Sequence, residues 1–276
     1  MALSLLTNMA SLEAQRNVNN TQSMMAASVE RLSSGMRINH ASDDAAGLAI
    51  SSKLSSQLKG MKQASRNAND AVSMIQTAEG GLGEINDLLS RMRELAVEAA
   101  NGGTVGASER TSINTEFTAL RDEIDRIVQV TTYNGQVLLA GGVSSTSFQV
   151  GAFNTTNDQI SLTIDATGAS QLSINSSDVS SITTAQSAIS ALDTAIGTVA
   201  DARAAIGAIQ NRLATTIDNL SISYNNLAAG VSRILDVDVA EESATMARTN
   251  ILLQAGISVL AQANSQPQAA LQLLRG

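Results

Sequence analysis

Residues 61–99 read MKQASRNANDAVSMIQTAEGGLGEINDLLSRMRELAVEA. Taken at alternating steps of three and four, this stretch meets Met61, Ala64, Ala68, Ala71, Ile75, Ala78, Leu82, Ile85, Leu89, Met92, Ala96 and Ala99. Every stop is apolar. Three-four spacing gathers residues into a narrow seam on one side of a helix. At about 1.5 Å per residue the helix would run roughly 60 Å, longer than a compact domain usually holds. A long helix with a narrow seam asks for partner helices.

The same rhythm recurs on both sides of it. Ile113, Phe117, Leu120, Ile124 and Ile127 carry it through a shorter helix over about 108–130. It returns over 182–234 at Ala185, Ile189, Leu192, Ile196, Val199, Ile206, Leu213, Ile217 and onward, with Arg203 and Gln210 as polar interruptions. This segment is the natural antiparallel partner of 61–99 and 113–127. Between them, 131–177 changes character. Asn134-Gly135 is a tight-turn dipeptide, and Phe148/Val150 and Ile160/Leu162/Ile164 alternate with polar residues, as strands with one buried face do. A small β-hairpin unit is expected there.

The two ends carry seams of their own. Leu5, Met9 and Leu12, then Val18, Met25, Val29 and Leu32, line a helix over about 2–34. Val239, Met246, Leu253, Leu260, Pro267 and Leu274 fall at strict seven-residue steps, with Ile257 and Leu271 in a second seam. A strict heptad implies a partner helix and a left-handed supercoil. The first forty and last forty residues are therefore expected to pair with each other. Apolar residues left over on such a pair favour self-association, because each Leu or Met fully buried contributes about 1.5–3 kcal/mol. Gly35 is placed to end the first helix. Asp43 and Asp44 read as caps of the helix that restarts there.

The fold class expected is mainly α: a long antiparallel helical coiled-coil rod with a small β-hairpin region and paired N- and C-terminal helices. Its expected segments are 1–43 (inner N-terminal helix and connector), 44–130 (outer rod, first half), 131–177 (hairpin unit), 178–235 (outer rod, second half) and 236–276 (inner C-terminal helix).

Composition narrows the function. Only 2% of residues are aromatic, with no Trp and one Pro, so the interior rests on aliphatic side chains and helices run uninterrupted. The formal charge is −8 and there is no Lys/Arg run, which disfavours nucleic-acid binding. With no Cys and a single His, His40, zinc and copper sites and thiolate chemistry are excluded, and no serine has a second His to activate it. No cofactor is expected. No stretch is long and apolar enough for a membrane span, and the N-terminus lacks the positive charge of a secretory signal.

Some of these residues carry a resemblance. Glu30-Arg31-Leu32-Ser33-Ser34-Gly35, Arg37-Ile38-Asn39 and Asp43 to Ile50 resemble the N-terminal signature of bacterial flagellins. Arg93 to Val97 with Ala99-Ala100-Asn101-Gly102 is similar to the family's central helix. Gln210-Asn211-Arg212-Leu213, Ser232-Arg233-Ile234, Gln254-Ala255-Gly256 and Leu260 to Asn264 fit its C-terminal half. The resemblance implies a subunit that self-assembles into the extracellular flagellar filament for motility and is exported through the flagellar type III apparatus. It implies filament-cap and hook–filament junction proteins and a secretion chaperone as partners. It also implies recognition by a host Toll-like receptor through the matching residues Arg91, Leu95 and Glu116. A hook–filament junction protein with flagellin-like termini is the alternative. An enzyme on a helical scaffold has no catalytic constellation to support it. Residues 131–177 leave no room for the large outer domains that many flagellins carry.

Overall fold

A computed structural model of the chain describes residues 8–275. It divides into two compact units, one comprising the residues up to Ser56 with those from Asn226 onward, the other Gln57–Asn225.

The first unit is built on helices α1 (Met9–Ser34) and α5 (Val239–Arg275). Each begins where a side chain satisfies amides that the helix leaves unpaired. The Asn8 side chain accepts from Ser11 N at 3.1 Å. Asp238 Oδ1 accepts from Ala240 N at 2.9 Å and Glu241 N at 3.2 Å. Gly35, at φ 72°, closes α1 with its N–H on Arg31 O. The two connectors then pair as a short antiparallel bridge: Arg37 N donates to Leu235 O at 2.6 Å and Val237 N to Gly35 O at 3.1 Å. Asp43 accepts from the amides of Asn39 and His40 and holds the connector in a turn. Those two amides, His40's first, hold its carboxyl below the usual aspartate value. Asp44 accepts from Gly47 N at 2.8 Å at the start of α2 (Ala45–Ala99). The two adjacent aspartates thus do different work, one shaping the connector and one capping the helix.

The second unit packs the rest of α2 with α3 (Ala107–Val130), two small hairpins and α4 (Ile182–Leu235), which ends in the first unit. The hairpins are β1 (Thr132–Tyr133) with β2 (Gln136–Val137), and β3 (Val143–Gln149) with β4 (Gln159–Ile164). Asn134 and Gly135 both take positive φ, the turn that a two-residue hairpin needs. Phe148 faces Ile160 and Thr146 faces Leu162, so Ile160, Leu162 and Ile164 all point into the core.

One contiguous core joins these elements. Ala68, Ala71, Ile75, Leu82, Ile85, Leu89 and Met92 of α2 are fully buried in it, with Phe117 and Ile124 of α3 and Leu192, Val199 and Leu213 of α4. On α4 the deepest positions beside Leu192 are Ala188 and Ala195, while Ile189 and Ile196 are half-buried. The polar Gln210 at a seam position is satisfied by Glu79, whose Oε2 accepts from its Nε2 at 2.9 Å. α2 runs unbroken through Gly80, Gly81 and Gly83. A Cβ at Gly81 would lie 2.8 Å from both Leu139 Cδ1 and Thr131 Oγ1, so the glycine admits the chain that follows α3. The 131–177 region is more than an appended hairpin. Leu138, Leu139, Ala169, Leu172 and Ile174, on irregular backbone, are buried in the same core.

Candidate assembly surface

The α1–α5 pair is antiparallel. Asn8 Nδ2 donates to Ala263 O at 2.7 Å and Ser11 Oγ to Asn264 Oδ1 at 2.6 Å at one end. Arg31 lies 3.7 Å from Glu242 at the other. The two helices pack against each other along their length, and they come closest at Gly256, where a Cβ would meet α1.

The residues that turn inward explain that approach. On α1 they are Ser11, Val18, Met25 and Leu32, alternating with Ala14, Thr21 and Ser28. On α5 they are Met246, Leu253 and Leu260, alternating with Glu242, Thr249, Gly256 and Ala263. Apart from Ser11 and Glu242 at the ends, each helix thus offers one heptad column of large residues and one of small ones. Ser28 and Thr249 are almost fully buried, and the Thr249 hydroxyl is satisfied by Thr245 O within its own helix. A Cβ on Gly256 would sit 2.9 Å from Val18 Cγ2. Glu242 reaches Arg31 through one oxygen, while its buried Oε1 has no hydrogen-bond partner.

Of the apolar seam expected from the sequence, Val18, Met25, Leu32, Met246, Leu253 and Leu260 are half-buried between the two helices. Met9, Leu12, Val29, Val239 and Ile257 are each more than 45% exposed. Leu5 lies outside the described residues, as do the side chains of Leu271 and Leu274. The second column of α5 is therefore Glu242-Thr249-Gly256-Ala263 rather than Ile257. It keeps seven-residue spacing but lacks large apolar side chains, so a search for bulk passes over it.

Among the exposed polar residues of the pair, apolar side chains remain uncovered on both flanks. Ala14, Val18, Leu252 and Val259 line a groove of about 270 Å³ on one side of the seam. Met25, Ala26, Val29 and Leu253, rimmed by Gln22, Glu30 and Ser33, line one of about 520 Å³. Ile257 lies five positions after Leu252, and on a helix that places them about 140° apart. The pair thus presents two sticky flanks rather than one.

In the second unit Arg91 bridges Glu94 at 3.0 Å and Glu116 at 2.9 Å, and Arg93 pairs with Asp193 at 2.6 Å. Those carboxylates hold both guanidiniums above their usual value. Arg91 and Glu116 are thus together and exposed, whereas Leu95 is 2% exposed and belongs to the core. His40 is exposed and pairs with Glu30 at 2.8 Å. No helix among the described residues is long and apolar enough to cross a membrane.

Comparison with known proteins agrees with this architecture. Residues 5–144 match the bacterial flagellin N-terminal helical region and residues 189–274 the C-terminal helical region. A flagellin of Halalkalibacterium halodurans is 46% identical over 97% of this chain and 98% of its own length. A flagellin of Bacillus subtilis is 44% identical with the same coverage. The crystal structure of Bacillus cereus flagellin is 33% identical and superposes with a TM-score of 0.51, covering 60% of this chain and 94% of that one. With both terminal regions matched and near-complete alignment to these relatives, the chain belongs to the bacterial flagellin family.

Proposed function

We propose that this chain, a structural subunit of the bacterial flagellar filament and not an enzyme, polymerises by covering the two apolar flanks of its α1–α5 pair with the pairs of neighbouring copies. The observation that carries this reading is the exposure of Met9, Leu12, Met24, Val29, Val239, Ile251, Leu252, Ile257 and Val259 on a two-helix unit. Complete burial of one such side chain contributes about 1.5–3 kcal/mol, so covering the remaining half of all nine is worth on the order of 10 kcal/mol. Association itself costs about 4–15 kcal/mol. One neighbour covering one flank is therefore marginal, and neighbours on both flanks together are favourable. Different flanks meeting is a heterologous contact, which repeats into an open polymer. Helices that lean on neighbours in this way gain their full order as they assemble.

In this reading residues 1–43 and 236–276 form the inner part of the filament wall, 44–130 and 178–235 the outer helices, and 131–177 the hairpin region. The reading extends, on the support of family membership alone, to an extracellular location, the type III export route, and cap, junction and chaperone partners. Recognition by a host Toll-like receptor would rest on the exposed Arg91–Glu116 pair, since Leu95 is buried. No observation favours a junction protein. The test is seeded polymerisation followed by electron microscopy. The full chain extends filament fragments, and a chain lacking 236–276 stays a soluble, helical monomer. Filaments formed by the truncated chain would overturn the proposal.

A further inference from the structure

We propose that the outward face of α2 between Lys59 and Arg66 is an electrostatic docking surface for the acidic end of α2 in a second copy of this chain. The proposal rests on the filament reading and specifies a contact outside the α1–α5 pair. The chain has three lysines, Lys53, Lys59 and Lys62, all within ten residues of one another. With Arg66 they make four cations in a stretch, between Asp44 and Asp70, that contains no acid, although the chain as a whole carries −8. Lys59, Lys62 and Arg66 are spaced three and four apart, so they share one helix face. All three are exposed, and Ala64 and Ala68 are buried on the opposite side. Among the described residues none of the three has a carboxylate within ion-pair distance, and Arg66 reaches only the Gln63 side chain.

Farther along, the outward face of the same helix reverses sign. Glu84, Asp87, Glu94 and Glu98 are interrupted there by Arg91 alone, and Arg91 is already shared between Glu94 and Glu116. The centres of the two patches are separated by nearly thirty residues, about 45 Å along the helix. One continuous helix cannot fold its own patches together. A second copy displaced along the axis by that distance can bring opposite charges into register. Complementary patches at two places on one chain set direction and register more than they add affinity. They also repeat without closing. A lipid or nucleic-acid partner would answer the cations but leave the matching acidic patch without a role.

Charge exchange tests this directly. The first variant carries Lys59→Glu, Lys62→Glu and Arg66→Glu; the second carries Glu84→Lys, Glu94→Lys and Glu98→Lys. Both alter exposed residues, and circular dichroism should match that of the unaltered chain. Each variant alone should need at least about tenfold more protein for seeded polymerisation. Mixed in equal amounts they should co-assemble, because each then offers the charge the other lacks. Uniting all six changes in one chain should restore self-assembly. Failure of the unaltered chain to polymerise refutes the filament reading itself. Normal polymerisation of the first variant, or no rescue in both the mixture and the six-fold variant, overturns only this inference. Sedimentation of the unaltered chain, but not of the first variant, with anionic phosphatidylglycerol vesicles, with polymerisation unchanged, would assign the patch to a membrane and overturn it too.

Discussion

Replacing Gly256 by valine tests the close approach of α1 and α5. The first added carbon would sit 2.9 Å from Val18 Cγ2, whereas carbon atoms prefer about 3.5–4.0 Å. Something must yield by 0.6–1 Å, roughly, on that same contact scale. Val18 cannot swing aside, because valine in a helix holds one rotamer strongly. The helices must therefore part, and the contacts around Ala14, Thr21, Ser28, Thr249 and Ala263 stretch with them. A gap of about 0.5–1 Å forfeits a quarter to a half of each dispersion contact, and overpacking of this kind costs about 1–3 kcal/mol. The better helix propensity of valine returns only about 0.3 kcal/mol. The net loss of roughly 1–2.5 kcal/mol corresponds to about a fivefold to sixtyfold rise in the concentration needed to extend seeds. Light scattering on seeded samples reads this, and hydrogen exchange reads the loosening of α1 and α5. Adding Val18→Ala should recover part of the loss by making room. Unchanged exchange and an unchanged critical concentration for Gly256→Val would refute the tight seam.

Four further outcomes are expected. Glu242→Met with Arg31→Leu removes the ion pair together with the buried oxygen that lacks a partner and should stabilise the α1–α5 pair by about 1 kcal/mol, seen as slower hydrogen exchange; faster exchange would show the carboxylate to be needed. Phe117→Ala empties a fully buried site and should cost about 3–5 kcal/mol, lowering the calorimetric transition of the second unit by roughly 10 °C. Leu95→Ala should likewise cost about 2–5 kcal/mol, so lost receptor binding in that variant must be judged against its melting temperature, and Arg91→Ala is the cleaner probe. For Asp43 the carboxyl is depressed in the folded chain. Its contribution is present above the unfolded value of about 3.9 and is lost as pH falls through the lower folded value. The His40 and Asn39 amides should then lose protection on acidification, and in Asp43→Asn their protection should not change over that range.

What the sequence makes legible follows from where apolar bulk is periodic. The α2 seam, the α3 rhythm, the Asp44 cap and the Asn134-Gly135 turn all announce themselves, because each is a local pattern with a local cause; Asp43, read as a second cap, instead accepts from the connector amides. Leu138, Leu139, Leu172 and Ile174 do not. They enter the core from irregular backbone, where no period exists to be counted. The small column of the α1–α5 seam is hidden differently. Thr249, Gly256 and Ala263 recur every seven residues, yet their function is to be small, and a hydrophobic pattern registers only what is large. Ile257 stands out by bulk for the opposite reason, and in the single chain it faces solvent. The Lys59-Lys62-Arg66 face is visible only once acids are counted along α2, since three separated cations do not form a run.

The chain contains no cysteine, so one introduced thiol reports one position. Ile257→Cys, reacted with a water-soluble maleimide in the free chain and in seeded filaments, measures whether copies cover the flank of α5. Labelling should be rapid in the free chain and at least about tenfold slower in filaments, as for a side chain moved from solvent into an interface. Equal rates in the two states would mean that the apolar flank stays bare after assembly, and that something else holds the filament together.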